Sequence, residues 1–108
     1  MYCVTKSAGE CLVRCWAEAF GGKDPEFEFM AGTTANSVMV GLTRTEAVKR
    51  HDETFLDKML QEVLPSQAIP RVAEPEDVAD IVGLLCSHEA RWITGSVVSA
   101  DGGGIKIL

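Results

Sequence analysis

The 108 residues predict an α/β chain organised on a parallel sheet, and three observations carry that prediction. Segments of helical character alternate with short strand-like ones, the order in which helices cover a parallel sheet. The two clearest strand candidates, 33–41 and 95–100, are rich in β-branched and apolar residues; the first ends in glycine and a glycine turn follows the second. The helix candidates carry apolar stripes wider than so few strands can cover. The chain therefore reads as a portion of a larger sheet.

Residues 2–20 read as the first helix. At about 100° per residue, Ser7, Glu10, Arg14 and Glu18 share one polar wedge, with Glu10–Arg14 and Arg14–Glu18 spaced for i,i+4 pairing. Val4, Leu12, Val13, Trp16 and Phe20 belong to a broad apolar remainder, suited to packing on a sheet and on a second helix. Only Met1 precedes this helix, so no N-cap side chain is available, and Gly21-Gly22 ends it.

In 24–32, Phe27 and Phe29 alternate with Glu26 and Glu28, which suits either a short edge strand or a loop clamped by two phenylalanines. Residues 43–64 are helical in character, with Phe55, Leu56, Met59, Leu60 and Val63 on one stripe, and Pro65 and Pro70 punctuate the loop beyond. The helix at 74–87 is well marked. Pro75 stands at an early position, Glu74, Glu76 and Asp77 lie at the positive end of the dipole, and Val78, Ile81, Val82 and Leu85 face inward. A final strand at 95–100 leads into a glycine turn.

Composition narrows the function classes. The chain is 46% hydrophobic and 24% charged, as a folded domain is, and its net charge of −6 argues against nucleic acid or an anionic membrane surface as partner. No apolar run approaches the roughly 18–20 residues of a membrane span, and the N-terminus shows no signal-peptide pattern, so a cytoplasmic location is expected. Cys3, Cys11, Cys15 and Cys86 show no CxxC, and neither His51 nor His88 stands at zinc-ligand spacing from them; reduced cysteines and no metal are expected. Trp16 and Phe20 read as core or dimer-interface packing. His51 and His88 read as solvated or capping residues, and Met30, Met39 and Met59 as gap fillers.

Tyr2 and Lys6 are the first candidates for chemistry. Side chains at i and i+4 share a helical face, so the ammonium can stand close to the phenol. A free phenol, which titrates near ~10, is a poor proton donor or acceptor at neutral pH, and a nearby positive charge favours the phenolate. YxxxK alone is a weak pattern, common by chance.

It does not stand alone. "YCVTKSAGECLVRCWAEAF" resembles the active-site helix of the short-chain dehydrogenase/reductase family, in which YxxxK is followed by small residues, a leucine and an arginine. "GTTANSVMVGLTRT" is similar to that family's next strand and loop, and "IPRVAEPEDVADIVGLLCSHEARWITGSVVSADGG" to its C-terminal part. The resemblance covers nearly the whole chain. It implies the C-terminal portion of a Rossmann-type doubly wound parallel sheet, with an active-site helix at 2–20, a strand and cofactor loop at 33–45, a lid region at 43–64, and a C-terminal helix and strand at 74–104. It further implies an oxidoreductase that uses NADP or NAD to interconvert a carbonyl and a secondary alcohol on a small molecule, in a homodimer or homotetramer.

Tyr2 would be the general acid/base. Lys6 would favour its phenolate and hydrogen-bond the nicotinamide ribose. Val40, Gly41, Thr43 and Thr45 would pass beside the nicotinamide, with the Thr45 hydroxyl at the carboxamide. Asn36 matches a position that is usually structural, and the stripe on 43–64 could close over substrate.

The departures are informative too. Val40 stands where the family has proline, and 24–32 is longer than the usual connection. The chain contains no GxGxxG, and Gly102–Gly104 follows the last strand without opening a helix. On this reading the cofactor's phosphates are held by residues outside these 108, and the chain by itself is expected to be inactive. The alternative is an inert truncated product that acts, if at all, as an oligomerisation partner of full-length relatives.

Overall fold

The computed structural model describes residues 1–106, with Lys49 described through its backbone only. Helix α1 (Tyr2–Glu18) is followed by strand β1 (Ser37–Val40), the one-turn helix α2 (Glu46–Lys49), helices α3 (Glu53–Val63) and α4 (Pro75–Leu85), and strand β2 (Val97–Ala100). β1 and β2 pair as a two-stranded sheet. The Ser37 amide donates to the Ser96 carbonyl at 2.9 Å and the Gly41 amide to the Ala100 carbonyl at 3.1 Å. Donor and acceptor advance together, so the strands run parallel, as the alternation of helices and strands predicted.

The chain divides into two compact units, Met1–Val38 with Gly83–Val98, and Met39–Val82 with the described residues from Ser99 onward. In the first, α1 begins at Met1 without a side-chain cap. It ends in a π turn, Ala19–Lys23, where Gly22 adopts φ +105°. Only glycine takes that conformation readily, which is why the glycine pair stops the helix. Glu18 pairs with Lys23 at 3.0 Å; among the described residues no ion pair joins Arg14 to Glu10 or to Glu18, contrary to the i,i+4 expectation.

Residues Pro25–Met30 form a 3₁₀ turn, neither an edge strand nor an irregular loop. Asp24 starts it by accepting the Glu26 amide at 3.0 Å, and Pro25 fixes the first φ. Aromatic packing holds the turn: Phe20 meets Trp16 and Phe27, and Phe27 meets Phe29, with ring centroids 5.4–6.5 Å apart. Asn36 ties the two segments of this unit together. Its Nδ2 donates to the Ile93 carbonyl at 2.8 Å and its Oδ1 accepts the Ser96 amide at 3.1 Å, the structural role expected of it.

In the second unit, residues 43–64 are not one helix. Thr45 caps α2 by accepting the Val48 amide at 3.4 Å, the helix stops at Arg50, and Asp52 caps α3 by accepting the Thr54 and Phe55 amides at 2.6 and 3.4 Å. Each cap side chain takes an amide that would otherwise be satisfied by a preceding turn, so the run restarts. The His51 ring lies tilted against Phe55, with centroids 4.7 Å apart. Leu42, Leu56, Met59, Leu60 and Val72 line a cavity of about 200 Å³, which is where the apolar stripe of α3 turns.

Among the described residues, Ala90 is the only buried hydrophobic side chain. Val4, Leu12 and Trp16 on α1, and Val82 and Leu84 on α4, stand 44–71% exposed. Helical periodicity thus placed apolar side chains on faces that two strands leave uncovered. The four cysteines are unpaired thiols and, instead of lying inside as small apolar residues, are all exposed.

Candidate functional site

The candidate residues fall into two groups, one in each unit. In the first unit, Tyr2 opens α1 and Lys6 stands one turn on. The Lys6 Nζ lies over the Tyr2 ring, 5.5 Å from its centroid, in cation–π contact. Thr5 Oγ1 donates to the Tyr2 carbonyl at 2.8 Å and secures this uncapped first turn. Tyr2 is 74% exposed, so its hydroxyl is open to a reacting partner. The helix thus brings together the phenol and the ammonium, as their spacing predicted.

In the second unit, residues 41–45 run from the end of β1 to the cap of α2. Gly41 crosses the backbone of Asp101 so closely that a Cβ on it would lie 2.7 Å from the Asp101 Cα. The Thr43 side chain is buried and its hydroxyl donates to the Gly41 carbonyl at 3.0 Å. Ala73 clamps the other edge: its amide donates to the Leu42 carbonyl at 3.0 Å, and its carbonyl accepts the Arg44 amide at 2.8 Å. Arg44 adds an exposed ion pair with Glu74 at 3.0 Å. Val40 is half exposed, and the Thr45 oxygen that caps α2 keeps its proton available for donation.

Two residues that the sequence reading passed over support this loop. Asp101 is buried, with Oδ1 accepting the Gly103 amide at 3.0 Å and Oδ2 the Ile105 amide at 2.8 Å. Hydrogen bonding from Ser99, and then from the Ile105 amide, holds its carboxyl below the usual range. Gln67 Nε2 donates to the Asp101 carbonyl at 3.0 Å. An aspartate directly before two glycines is the signature of a turn closed by its own carboxylate, and that signal could have flagged Asp101; nothing local marks Gln67. Farther along, Asp77 grips Arg71 through two contacts at 2.7 and 2.8 Å and accepts the Glu74 amide at 2.8 Å, and the Arg71 bond brings its pKa down to about 2.

Taken unit by unit, the exposed phenol and ammonium of the first have the donors that a nicotinamide ribose would take. The threonine hydroxyl at the end of the clamped loop in the second has the proton that a carboxamide oxygen would take. The Thr43 hydroxyl donates its proton within the loop and keeps only acceptor capacity. The turn at Gly102 and Gly103 packs against Ile69 and Ala68 and opens no helix, so it offers no phosphate cradle.

A family model described as enoyl-(acyl carrier protein) reductase matches residues 1–104. The short-chain dehydrogenase/reductase FrzI of Cladobotryum sp is 33% identical over 110 residues, which take in 99% of this chain and 40% of FrzI. The short chain dehydrogenase penD of Penicillium thymicola is 38% identical over 103 residues, 94% of this chain and 35% of penD. A solved short-chain type dehydrogenase/reductase from Mycobacterium ulcerans matches with a TM-score of 0.73 at 32% identity, covering 94% of this chain and 33% of that one. The chain therefore spans 40% or less of the length of these relatives, and its parallel β1–β2 pair is a portion of their Rossmann-type sheet. Matched over nearly all its length by sequence and by fold, the chain belongs to the short-chain dehydrogenase/reductase family.

Proposed function

We propose that these residues supply the proton-transfer pair and the nicotinamide-facing loop of an NAD(P)(H)-dependent oxidoreductase that interconverts a carbonyl and a secondary alcohol on a small molecule. The observation that carries this reading is the Tyr2–Lys6 pair, phenol and ammonium on one exposed face of α1. In the reductive direction the Tyr2 hydroxyl donates its proton to the substrate carbonyl oxygen, and in the oxidative direction the phenolate takes the alcohol proton. In this reading the Lys6 ammonium, which lies over the Tyr2 ring, holds the ribose hydroxyls. A bound nicotinamide supplies or accepts the hydride. The Thr45 hydroxyl and the backbone at Val40 and Gly41 orient the carboxamide, and Thr43 keeps the loop in shape through its bond to the Gly41 carbonyl.

A homodimer or homotetramer and a cytoplasmic location complete the proposal. The exposed apolar residues of α1 and α4 support the first, and the lack, among the described residues, of any helix long and apolar enough to cross a membrane is compatible with the second.

The test is Tyr2→Phe in the natural polypeptide that carries these residues. Loss of the proton donor should reduce kcat by about 10²-fold or more with cofactor binding kept. A near-normal rate removes Tyr2 from the role.

A further inference from the structure

Gly41, and with it the loop 41–45, is seated against Asp101 and not against a side chain that could yield. The space that a Cβ on Gly41 would need is filled by the Asp101 Cα at 2.7 Å and Cβ at 3.0 Å, and the Gly41 amide bonds to the carbonyl of the residue before, Ala100. Where Asp101 stands therefore decides where the loop stands. Its carboxylate is bound to the turn it closes, through the Gly103 and Ile105 amides. Its carbonyl is held from outside that turn by Gln67 Nε2 at 3.0 Å.

Gln67 makes this bond at a cost. Its other amide atom, Oε1, is buried without a partner among the described residues, so the side chain carries the penalty of an unmade hydrogen bond there. An apolar side chain of the same shape would avoid that penalty and still fill the space, so what the carboxamide adds at this position is its donor. The neighbouring backbone agrees, since the Ile69 amide bonds to the Gly102 carbonyl at 2.9 Å and Lys106 Nζ to the Ser66 carbonyl at 3.0 Å, lacing the same two segments together. Gln67 also lines, with Val40, Gly41 and Leu42, a cavity of about 200 Å³ beside the loop.

We propose that Gln67 is a positioning residue for cofactor binding: through the Asp101 carbonyl it fixes the place of Gly41 and so of the loop that meets the nicotinamide. This rests on the reading of 41–45 as the cofactor-facing loop. The side chain need not touch cofactor or substrate.

Two variants of the natural polypeptide separate the donor from the packing. Gln67→Glu keeps the shape and, at neutral pH, loses the donor; Gln67→Met replaces the amide by an apolar chain. Both should raise the Kd for NADPH or NADH, read by the fluorescence of the reduced cofactor: Gln67→Met by about three- to tenfold, the size of one lost hydrogen bond, and Gln67→Glu by at least as much, since its carboxylate also faces the Asp101 carbonyl. kcat at saturating cofactor should change by less than about twofold. In the cofactor-free protein, amide exchange at Gly41 should quicken by a similar factor. An unchanged Kd in Gln67→Glu, or a fall in kcat with Kd unchanged, overturns the proposal. Thr45→Ala, measured alongside, tells the two failures apart. If it weakens cofactor binding while the Gln67 variants do not, only the role of Gln67 falls; if it too leaves Kd unchanged, the cofactor-loop reading falls with it.

Discussion

Replacing Gly41 by alanine puts a methyl carbon where the backbone of Asp101 already stands. The new carbon would lie 2.7 Å from the Asp101 Cα, 3.0 Å from its Cβ and 3.3 Å from its carbonyl carbon. Carbon atoms rest comfortably at about 3.5–4.0 Å, so a relief of close to 1 Å is needed. Asp101 cannot easily supply it, being bound through both carboxylate oxygens and its carbonyl. The loop can move only by stretching the Gly41–Ala100 hydrogen bond at one end and the Ala73 clamp at the other.

Overpacking of this kind costs about 1–3 kcal/mol. A displacement of about 1 Å in a positioning element can cost on the order of 10²-fold in turnover. Because φ at Gly41 is not positive, the effect comes from the lack of space and carries no penalty for a left-handed backbone. The assay is urea denaturation of the natural polypeptide with cofactor Kd measured in parallel. Destabilisation below about 0.5 kcal/mol together with an unchanged Kd would refute the reasoning, since it would mean that the Asp101 turn yields freely.

Two further outcomes follow from the same structure. Purified as 108 residues, the chain should oxidise no measurable NADPH with any carbonyl substrate, because no glycine-rich strand-to-helix turn in it can hold the pyrophosphate; turnover by a rigorously pure sample would contradict this. The Asp77 carboxyl, at about 2 in the fold against the usual 3.8, lies below its unfolded value, so the Arg71–Asp77 pair contributes fully above about pH 4 and is lost as pH falls through 2. NMR titration of the Asp77 carboxyl should place its midpoint well below that of a free aspartate, and Asp77→Asn should flatten the acid limb of the stability curve, modestly because the pair is partly exposed.

Local signals were legible wherever one residue type forces one conformation. Gly22 ends α1 because it can take φ +105°, and Pro75 with the acids around it starts α4 where it was expected. The YxxxK spacing put Lys6 over Tyr2 because i and i+4 share a face of any helix. The same kind of signal was present but overruled at 43–64, where a continuous apolar stripe suggested one helix. Thr45 and Asp52 each capture amides and divide it into two. In 24–32 the alternation of Phe and Glu suggested a strand as readily as a loop, and the structure has a 3₁₀ turn whose Phe27 packs on Phe20 of the π turn after α1.

The sequence by itself determined the main helices and the two strands, the parallel α/β order and the pairing of a phenol with an ammonium, because each depends on spacing within a few residues. Only the tertiary structure decided why position 41 is glycine and what Gln67 holds. Those facts depend on residues that lie 34 positions apart, or more, in sequence and within hydrogen-bond or van der Waals reach in space. No periodicity or motif carries that distance. It is set when β1 and β2 pair and bring the end of one strand across the turn that follows the other.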